Sequence, residues 1–576
     1  MKEEIQKFFK GDVDDSEETL LKYSHDASIF EIRPKLVLFP KDSEDVKNLV
    51  KWVNENKEKF GELSITCRCA GTDMSGGAIG ESLILDFTKY MNKLIDFEVA
   101  EPDALVQVLG SPRDYARPDH SQEHAGTTTI TVEPGMFYRD FEKITLEKNM
   151  ILPCYTASKD LNAMGGMYGN NSGGERTLKY GQVQDFVIEA KAIFSDGNEY
   201  VVKQLTEEEL KNKIAQNDFE GDIYKNIYEL IKNNQEEIKN AKPKVHKNSA
   251  GYYLWNVWDE EKKIFDLNKI LVGSQGTLGI TTEITFKLIP EFQHRKLLVI
   301  FLKDITLLPD LVNKILKHNP ETLESYDDKT FFLVLKYIVD FTKLLGIKNF
   351  FKLIFSFIPE MIMTLKHGFP KFIFLVEFAG NSQEEVDIQA KNLAEDLKSF
   401  SKIGIHLTKD AFEAKKYWTI RHEAFNMIRY HLKKVKSKPF IDDVIVRPEK
   451  LPEFFPALYK ILEEYKKHIT FAIGGHAGDG NLHIYTLLDP KDKELKNIIF
   501  KVSEKVYDLV ISLGGSITAE HNDGLIRTPF LLKMYGEKVV KIFKEIKRIF
   551  DPKNIFNPGK KVPLEEKNSI KEFINI

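Results

Sequence analysis

Two short motifs in the last quarter of the chain carry residue types that hold divalent metals. His476 and His483 lie in a glycine-rich run, GGHAGDGNLH, and Glu520 stands next to His521 further along. Imidazole nitrogens with one carboxylate oxygen suit Zn²⁺, Mn²⁺ or Fe²⁺ and leave coordination positions open for a substrate. A single histidine is more often structural, but three histidines in two glycine-rich motifs favour a metal site. Asp479 can orient a metal-bound imidazole from behind.

A glycine-rich loop near the beginning of the chain is a candidate anion-binding site. The stretch Cys67–Asp86 contains glycines mixed with Thr72 and Ser75. Small residues let backbone N–H groups turn inward around an anion, so we expect a diphosphate there. The loop lacks the Lys-Ser/Thr of a Walker A motif and the GxGxxG of a Rossmann fold. A glycine-rich hairpin without a ligand explains this stretch alone equally well.

Two later stretches repeat this composition. Residues 153–181 read PCYTASKDLNAMGGMYGNNSGGERTLKYG, and residues 271–280 read LVGSQGTLGI. So many glycines inside an ordered domain indicate that the backbone approaches a ligand closely. The simplest interpretation is a second ligand-binding loop region that faces the first loop across one large ligand, a dinucleotide.

Arg421 is a candidate for binding a carboxylate. It lies in the run WTIRHE, which we predict to be helical. Its planar guanidinium can hold a carboxylate through two hydrogen bonds. A surface ion pair with Glu423 or Asp410 explains the same pattern, and from the pattern alone it is the stronger interpretation.

The elements that must position these residues alternate between strands and helices. Hydrophobic patterns predict strands at Leu36–Phe39, Thr129–Val132, Val187–Phe194, Thr281–Leu288, Leu297–Leu302 and Phe372–Phe378. Helices are predicted from Asp42 to about Lys57, over Tyr138–Lys148, and within residues 1–34 with a start at Ser16. Residues 100–125, with His120 and His124, are interpreted as a polar surface excursion. The pattern changes after Pro290, where we place a domain boundary.

The composition excludes several functional classes. A chain of 576 residues suggests two or three domains, and 42% hydrophobic with 29% charged residues is ordinary for a globular protein. A net charge of -5 provides no basic surface for nucleic acid. The cysteines, Cys67, Cys69 and Cys154, are too few for a disulfide scaffold or a four-cysteine iron–sulfur cluster. The charged N-terminus and the lack of a long uncharged apolar run predict neither a signal peptide nor a membrane-spanning helix.

The segment 331–369 differs from the rest of the chain. It is rich in aromatic and aliphatic residues, while Lys336, Asp340 and Lys343 fall on one helical face. A basic amphipathic segment of this kind can lie on a membrane surface. A helical pair buried in a cap domain is the alternative interpretation, and both stay open.

Taken together, these motifs resemble the FAD-linked oxidases of the vanillyl-alcohol oxidase/PCMH superfamily. The similarity is greatest to the branch of D-lactate, glycolate and D-2-hydroxyglutarate dehydrogenases, and it extends from about Tyr23 to Lys561. Its most specific pieces are AGTDMSGGAIGESLILD, GNNSGGERTLKYG, GSQGTLGITTE, GGHAGDGNLH, TAEHNDGLIR and FDPKNIFNPGK. Their order and spacing together are hard to obtain by chance.

The resemblance implies an α+β fold in two parts. A PCMH-type FAD-binding domain of two α/β subdomains would comprise residues 1–290. A cap domain with an antiparallel sheet and helices would comprise residues 291–520, with the amphipathic insert 331–369. Residues 521–576 would return to the FAD-binding domain.

The resemblance also implies which residues contact FAD. Residues 68–77 would hold its diphosphate, while 153–174 and 273–280 would line the rest of the cofactor. The expected cofactor-binding residues are Arg68, Ala70, Gly71, Thr72, Asp73, Ser75, Gly76, Pro153, Ala157, Ser158, Gly165, Gly166, Asn170, Ser172, Gly173, Gly279, Ile280 and Asn557. The first loop contains no histidine, so we expect FAD to be bound without a covalent link.

The same resemblance assigns roles to the histidine motifs. The implied metal ligands are His476, His483 and Glu520. His521 matches the catalytic base of the family, and Arg421 and Asn481 match positions that contact the substrate. In that mechanism the metal and His521 help to remove the hydroxyl proton, Arg421 holds the carboxylate, and hydride passes to flavin N5.

The chain departs from its relatives at a few positions. Cys69 and Ala70 stand where relatives often have glycines, and both are small enough to be tolerated. Asn522 replaces the glycine of the usual Glu-His-Gly, and asparagine also accepts a positive φ. A lysine that some 2-hydroxyglutarate enzymes use for a second carboxylate has no clear counterpart, although Lys438 is nearby in sequence. The resemblance therefore favours a small monocarboxylate such as D-lactate.

The sequence predicts an FAD-dependent dehydrogenase that oxidises a D-2-hydroxy acid, first of all D-lactate, to the 2-oxo acid. Electrons would pass to a quinone, a cytochrome or an iron–sulfur partner instead of NAD. The alternatives are a D-2-hydroxyglutarate or glycolate dehydrogenase, a non-redox enzyme like alkylglycerone-phosphate synthase, and an FAD-binding protein without catalysis. We expect a cytoplasmic protein that can form a homodimer and that can contact the inner face of the cell membrane through 331–369.

Overall fold

The computed structural model describes residues 1–100, 127–336, 368–431, 436–437, 439–563 and 569–575 of the 576-residue chain. Three interpretations from the sequence lie partly or wholly outside these residues. They are the surface excursion at 100–125, the amphipathic segment 331–369, and Lys438.

Helices and strands alternate along the described chain. The strands are β1 (Asp12–Asp14), β2 (Leu36–Phe39), β3 (Ile65–Arg68), β4 (Leu83–Asp86), β5 (Leu94–Glu98), β6 (Thr129–Val132), β7 (Met150–Ile151), β8 (Val187–Ile193), β9 (Glu199–Thr206), β10 (Trp258–Asp259), β11 (Ile264–Asp266), β12 (Ile280–Lys287), β13 (Ile289–Pro290), β14 (His294–Leu302), β15 (Thr322–Asp327), β16 (Phe372–Gly380), β17 (Ile403–Leu407), β18 (Lys436–Ser437), β19 (Val444–Ile445), β20 (Ile469–His476) and β21 (Asn481–Leu488). The α-helices are α1 (Lys2–Ile5), α2 (Glu17–Tyr23), α3 (Ser43–Phe60), α4 (Tyr138–Leu146), α5 (Met164–Asn170), α6 (Thr177–Tyr180), α7 (Glu207–Ile214), α8 (Phe219–Asn233), α9 (Gln235–Ala241), α10 (Asn268–Leu271), α11 (Leu308–Leu316), α12 (Asp328–Lys336), α13 (Gln383–Leu397), α14 (Ala411–His431), α15 (Leu451–Glu464), α16 (Leu495–Ser512), α17 (Gly524–Arg527) and α18 (Leu531–Phe550).

A four-stranded sheet near the N-terminus has the strand order β1-β2-β4-β3. Strands β2, β4 and β3 are parallel, so the chain must cross over between them, and α3 makes the crossover from β2 to β3. The Asp42 carboxylate accepts a hydrogen bond from the Asp45 N–H and caps this helix. The predicted strand Leu36–Phe39 and the helix that follows Asp42 are confirmed.

Residues 1–34 are less helical than predicted. Helices α1 and α2 are short, and β1 pairs with β2 at the edge of the sheet. Ser16 does cap α2, because its side chain accepts a hydrogen bond from the Thr19 N–H. The sequence of β1, Asp-Val-Asp, carries no hydrophobic alternation, so only its pairing with a hydrophobic neighbour reveals the strand.

A second sheet has seven strands in the order β10-β11-β9-β8-β12-β6-β5, and its neighbouring strands are antiparallel. Buried and half-buried residues alternate along β12, so one face of the sheet lies on the core. The turn between β8 and β9 contains Gly197 at a φ of 76°. The strands predicted at Thr129–Val132, Val187–Phe194 and Thr281–Leu288 are confirmed, with small shifts at their ends.

Residues after 290 build an antiparallel sheet of eight strands among those described, β17-β14-β16-β15-β20-β21-β18 with β19 beside β21. Helix α13 covers one face, where Leu298, Phe374 and Val376 are buried. Helix α14 covers the other face, where Tyr417 and Ile420 pack on the sheet. Because β16 is covered on both faces, it is buried along its whole length. The predicted antiparallel sheet of the cap region is confirmed.

The chain returns to the first sheet after α18. The Ile65 N–H donates to the carbonyl of Ile555, and the Asn557 N–H donates to the carbonyl of Ile65. The Asn557 side chain is fully buried and donates to the carbonyls of Gly77 and Gln275. The C-terminal segment therefore closes the structure around the first glycine-rich loop.

The start of the amphipathic segment is helical, because α12 extends to Lys336. Phe332 and Phe369, which flank the undescribed part, are exposed, and their rings lie 5.4 Å apart. The membrane-surface and buried-pair interpretations of 331–369 both remain predictions. None of the helices in the described ranges combines the length and the apolar character needed to span a bilayer.

A buried ion network joins the second glycine-rich stretch to the cap sheet. Arg176 makes two hydrogen bonds with Glu291, at 2.7 and 3.1 Å. Arg295, in β14, forms ion pairs with Glu291, Glu321 and Glu377. Burial opposes the ionisation of Glu321, but Arg176 and Arg295 outweigh it and lower the pKa of its carboxyl. The network fixes how the cap sheet lies against the glycine loops.

We predict that Glu321→Ala lowers the free energy of unfolding by about 1.5–3 kcal/mol, because Arg176 and Arg295 lose one of their two shared carboxylates and keep Glu291. Urea unfolding of the full chain measures this change. Glu395→Ala is the matched control, because Glu395 pairs with Lys398 on the surface, and we expect it to cost at most about 1 kcal/mol. A loss for Glu321→Ala no larger than that of the control would contradict the role of this network.

Candidate active site

The hairpin of β20 and β21 brings two predicted metal ligands together. Its register pairs His476 with Asn481 and Gly474 with His483. Residues two apart on a strand share a face, so both imidazoles project from the same side of the sheet. The tight turn between them requires Gly480, which has a φ of 75° and whose added Cβ would lie 1.9 Å from the carbonyl oxygen of Val446. Both imidazoles are buried.

Glu520 completes a triangle of ligand atoms. Its Oε1 lies 3.1 Å from Nε2 of His476 and 3.3 Å from Nε2 of His483. The two Nε2 atoms are 3.3 Å apart. Ligand atoms on a tetrahedral ion with bonds of about 2.1 Å lie about 3.4 Å from one another. The three side chains therefore fit a divalent metal by their spacing and by their donor types.

Each histidine of the triangle is oriented by a carboxylate on its other nitrogen. Nδ1 of His476 lies 2.5 Å from Glu324 in β15, and Nδ1 of His483 lies 3.1 Å from Asp442. Such contacts leave Nε2 to face a metal and raise its basicity. Burial opposes the ionisation of Asp442, but His483 and His521 outweigh it and hold the pKa of its carboxyl well below the usual range.

Asp443 fixes the loop that carries Glu520 and His521. Its Oδ2 accepts hydrogen bonds from the N–H groups of Ala519, Glu520 and His521, and from the hydroxyl of Thr518. Asp443 also lies within 4.8 Å of possible ligand atoms of His483, Glu520 and His521. We do not assign it as a ligand, because its Oδ1 accepts from Asn481 and its Oδ2 is occupied by the loop.

His521 lies beside the triangle without belonging to it. Its ring stacks on that of His483, with centroids 5.1 Å apart, and its Nδ1 lies 3.2 Å from Asp442, although the angle is poor for a hydrogen bond. Its side chain is 21% exposed, against 8% for His483, so it is the more accessible of the two stacked imidazoles. Burial lowers the pKa of His521, but Asp443 and Asp442 outweigh it and raise that pKa, which increases the proton affinity of the ring.

A buried lysine that the sequence analysis missed holds the second oxygen of Glu520. Nζ of Lys247 lies 3.3 Å from Oε2 of Glu520 and 3.0 Å from Asp479, and the residue is fully buried. Asp479 was expected to orient a metal-bound histidine. It contacts Lys247 and His246 instead, and so reaches the triangle only through the contact of Lys247 with Glu520.

Arg421 is buried, which overturns the interpretation of a surface pair with Glu423 or Asp410. Its guanidinium binds Glu324 through Nε and Nη2, both at 3.0 Å, so it shares that carboxylate with His476. Its Nη1 donates to the hydroxyl of Tyr485 at 3.5 Å. Arg421 and Tyr485 thus lie next to the triangle.

The contacts of Asn481 differ from those of Arg421. Its side-chain amide donates to Asp443 and to the carbonyl of Val444, and the residue is fully buried. The side chain of Asn481 therefore holds Asp443 in place. Tyr485, two residues beyond His483 on the same strand face, occupies the place beside Arg421.

The three glycine-rich loops meet in one hydrogen-bonded hub. Asp73 of the first loop accepts from the amide of Asn170 in the second, at 3.0 Å. Gln275 of the third loop donates to Ser75 and to Asn170. Asn557 joins the hub from the C-terminal segment. The predicted convergence of the loops is therefore seen directly in their contacts.

The first loop has the geometry of an anion-binding nest. Within the described ranges, the N–H groups of Ala70, Gly71, Thr72, Met74 and Gly76 donate no hydrogen bond. Gly71 and Gly76 have φ values of 68° and 85°, which turn successive N–H groups to one side. Unpaired donors of this kind fit the oxygens of a diphosphate such as that of FAD.

Several of the other predicted cofactor residues are not hydrogen-bonded to this hub. Gly166 borders open space, since a Cβ added there would meet nothing within 4 Å. Gly279 and Ile280 lead into β12, where Gly279 packs against Ile193 and Phe194. Pro153 is buried, while Ala157 is exposed. Among the described contacts, Pro153, Ala157, Ser158, Gly279 and Ile280 make no hydrogen bond to the hub.

The loops and the triangle are one continuous site. A Cβ added to Gly173 would lie 3.2 Å from Oε2 of Glu520, so the second loop approaches the triangle closely. Asn522 has a φ of 65°, as expected for a substitute for glycine, and donates to the carbonyls of Gly273 and Asn170. The residue after His521 therefore ties the histidine motif to the second and third loops.

Two family sequence patterns match the chain. The pattern described as FAD linked oxidases, C-terminal domain, matches residues 291–561, and the pattern described as FAD binding domain matches residues 34–109 and 114–203. The first contains the triangle, His521 and Arg421. The second contains the first two glycine-rich loops.

Curated relatives carry related names at low identity. The D-2-hydroxyglutarate dehydrogenase of Pseudomonas putida is 24% identical over 557 residues, which cover 96% of this chain and 50% of that protein. Glycolate oxidase subunit GlcD of Bacillus subtilis is 25% identical and covers 95% and 93% of the two chains. The D-lactate dehydrogenase of Anaerostipes hadrus is 25% identical and covers 93% and 92%. The chain spans about half the length of the D-2-hydroxyglutarate dehydrogenases of Pseudomonas putida and Escherichia coli.

Solved structures share the fold. p-Cresol methylhydroxylase matches with a TM-score of 0.64 at 15% identity, covering 96% of this chain and 94% of that chain. An alkyldihydroxyacetonephosphate synthase matches with a TM-score of 0.62 at 15% identity, covering 97% and 84%. The two family patterns together match most of the chain, and the chain belongs to the FAD-linked oxidases, with the fold that these solved structures share.

Proposed function

We propose that the protein is an FAD-dependent dehydrogenase that oxidises a D-2-hydroxy acid, with D-lactate as the first candidate, to the 2-oxo acid. The observation that carries this proposal is the triangle of His476, His483 and Glu520 with the more accessible His521 stacked beside it. The triangle adjoins the glycine loops through Gly173. A metal site and a base are therefore adjacent to the proposed cofactor site.

The proposed roles follow from the contacts. His476, His483 and Glu520 hold the metal, and the first loop with Asn170, Gln275 and Asn557 holds FAD without a covalent bond. When bound, the metal lowers the pKa of a substrate hydroxyl and FAD accepts the hydride. We assign residues 1–290 and 521–576 to FAD binding and residues 291–520 to the cap that covers the substrate.

His521 is the proposed base. Its Nδ1 faces Asp442 at 3.2 Å, so a proton on Nδ1 is stabilised by that carboxylate. The lone pair then lies on Nε2, which can accept the hydroxyl proton of the substrate. Asp442 also contacts His483, so one carboxylate orients the base and a metal ligand together.

Arg421 is the proposed partner of the substrate carboxylate. Glu324 fixes its Nε and Nη2, which leaves Nη1 beside Tyr485 as the end that can turn toward a ligand. A guanidinium held in this way loses little conformational entropy when it binds a carboxylate. The relatives that this chain covers over nearly their whole length include a glycolate oxidase subunit and a D-lactate dehydrogenase by name.

The electron acceptor is proposed to be a quinone, a cytochrome or an iron–sulfur protein. A protein that binds FAD in its own loops needs an external oxidant to return the cofactor to its oxidised form. We also propose a cytoplasmic location, with 331–369 as the contact to a membrane surface, and a homodimer as the assembled form.

We predict that D-lactate, added without oxygen to the FAD-loaded protein, bleaches the visible absorbance of the flavin. A panel of D- and L-2-hydroxy acids, including glycolate and D-2-hydroxyglutarate, identifies the preferred substrate. L-enantiomers should leave the flavin oxidised. If no 2-hydroxy acid reduces it, the dehydrogenase proposal is wrong, and a non-redox reaction of the alkylglycerone-phosphate synthase type becomes the next candidate.

We predict that the purified protein holds about one divalent metal per chain and that His483→Ala loses it, because the triangle keeps only two ligands. Elemental analysis measures the metal, and flavin absorbance measures the FAD that remains. His318→Ala is the matched control, since His318 pairs with Asp396 on the surface. Metal-free protein whose flavin is still reduced in the presence of a chelator would refute this role.

We predict that His521→Ala slows flavin reduction by about 10²–10⁴-fold, the range that removal of a general base gives. FAD and metal contents should not change, because His521 is outside the triangle. Stopped-flow reduction by the best substrate measures the rate, again with His318→Ala as control. A rate equal to that of the unmodified protein would exclude His521 as the base.

A further inference from the structure

A cavity of about 1070 Å³ lies in the cap region, away from the candidate active site. Phe471, near the start of β20, lines this cavity, whereas His476 at the other end of the same strand lies in the triangle. Five strand residues span about 17 Å, so the two sites are at opposite ends of the strand. The proposed catalytic mechanism does not use this cavity.

One wall of the cavity is aromatic. Phe372 and Phe455 have ring centroids 4.9 Å apart, and Tyr459 continues the series toward Phe471 at 5.8 Å. The three phenylalanines are buried, and Tyr459 is half-buried. The phenylalanines support Tyr459 from behind, and Tyr459 is the ring that offers an apolar surface to a flat ring or an alkyl chain.

The mouth of the cavity is positively charged. Its lysines are Lys303, Lys329, Lys371, Lys402 and Lys460. Lys371 pairs with Asp328, and Lys402 pairs with Asp304. Glu463, the other acidic residue of the lining, hydrogen-bonds to Lys466.

Three of these lysines have no ion-pair partner among the residues that the structure describes. Among the described residues, no carboxylate lies within 4.0 Å of the ammonium groups of Lys303, Lys329 or Lys460. Lys329 lies inside the aromatic wall, with its Nζ 3.3 Å from the centre of the Phe471 ring. Burial lowers the pKa of Lys329 because its ammonium group is poorly hydrated. An anion near this weakly hydrated cation would therefore be attracted more strongly than one near a fully hydrated lysine.

We propose that this cavity binds an amphiphilic anion, a molecule with an apolar chain or ring and a carboxylate or phosphate head. The apolar part would contact Tyr459 and Pro456, the more exposed apolar side chains of the lining. The head would contact Lys303, Lys329 and Lys460. A neutral apolar ligand would leave the unpaired ammonium groups without a partner, and a small inorganic anion would leave the aromatic wall bare. The proposal does not depend on the reaction at the metal triangle.

The test uses the FAD-loaded full chain and the anionic dye anilinonaphthalene sulfonate, whose fluorescence rises in an apolar site. We expect saturable binding that decanoate and decyl phosphate displace and that decanol displaces poorly. The double variant Lys303→Glu/Lys460→Glu should weaken the displaceable binding by about tenfold or more, because two attractive charges become repulsive. Lys541→Glu/Lys544→Glu is the matched control. Both lysines are exposed and lie on α18, which follows the residues of the cavity lining in the sequence.

Three outcomes would overturn the proposal. One is dye binding that both double variants leave unchanged. Another is equal displacement by decanol and decanoate, which would make the site a general apolar cavity. The third is binding only to vesicles that contain anionic phospholipid, with none to the dispersed anions, which would make this face a membrane-contact surface instead of a ligand site. Thermal melting of each variant checks that a lost signal does not come from unfolding.

Discussion

The candidate active site depends on one buried carboxylate. Asp443 accepts four hydrogen bonds from residues 518–521 on a single oxygen, and its other oxygen is held by Asn481. These bonds fix the backbone that carries Glu520 and His521. Without them the N–H groups of Glu520 and His521 would have no partner, and that of Ala519 would keep only the backbone carbonyl of Asp443, which is costly in a buried place. Glu520 and the proposed base, His521, therefore share one backbone support.

Several parts of the fold and site are predictable from the sequence because they are local. Strands such as Leu36–Phe39, the Asp42 cap and the His476–His483 hairpin depend on neighbouring residues, so their patterns are visible. The short strand β1 is not visible, because its pairing partner and not its own composition determines it. Site residues that belong to a recognisable sequence motif can be found from the sequence. Single site residues outside any motif cannot.

The missed residues illustrate this limit. Glu324, Asp442 and Lys247 reach the triangle from distant parts of the chain, and each is a common residue type in an unremarkable context. Lys247 does begin a small-residue loop, KNSAGYY, whose density of small residues was a usable signal. Asp479 is close to His476 in sequence, which suggests that it orients this histidine. In the structure it contacts Lys247 instead, so that prediction is wrong. The sequence around Arg421 favours a surface ion pair. In the structure Arg421 is buried against Glu324, which excludes that pair.

The hub of glycine loops has a consequence for how the protein folds. Thr66 and Asn557 hydrogen-bond although 491 positions separate them, and Asn522 contacts Asn170 across 352 positions. Contacts this far apart form only after most of the chain has been made and has collapsed, and proteins dominated by them fold slowly. The first glycine-rich loop and the loop of Glu520 and His521 are thus assembled late, from segments hundreds of residues apart. A ribosome-bound chain that has not yet exposed Asn557 lacks one of the side chains that join the hub, so the hub forms only after that residue has emerged.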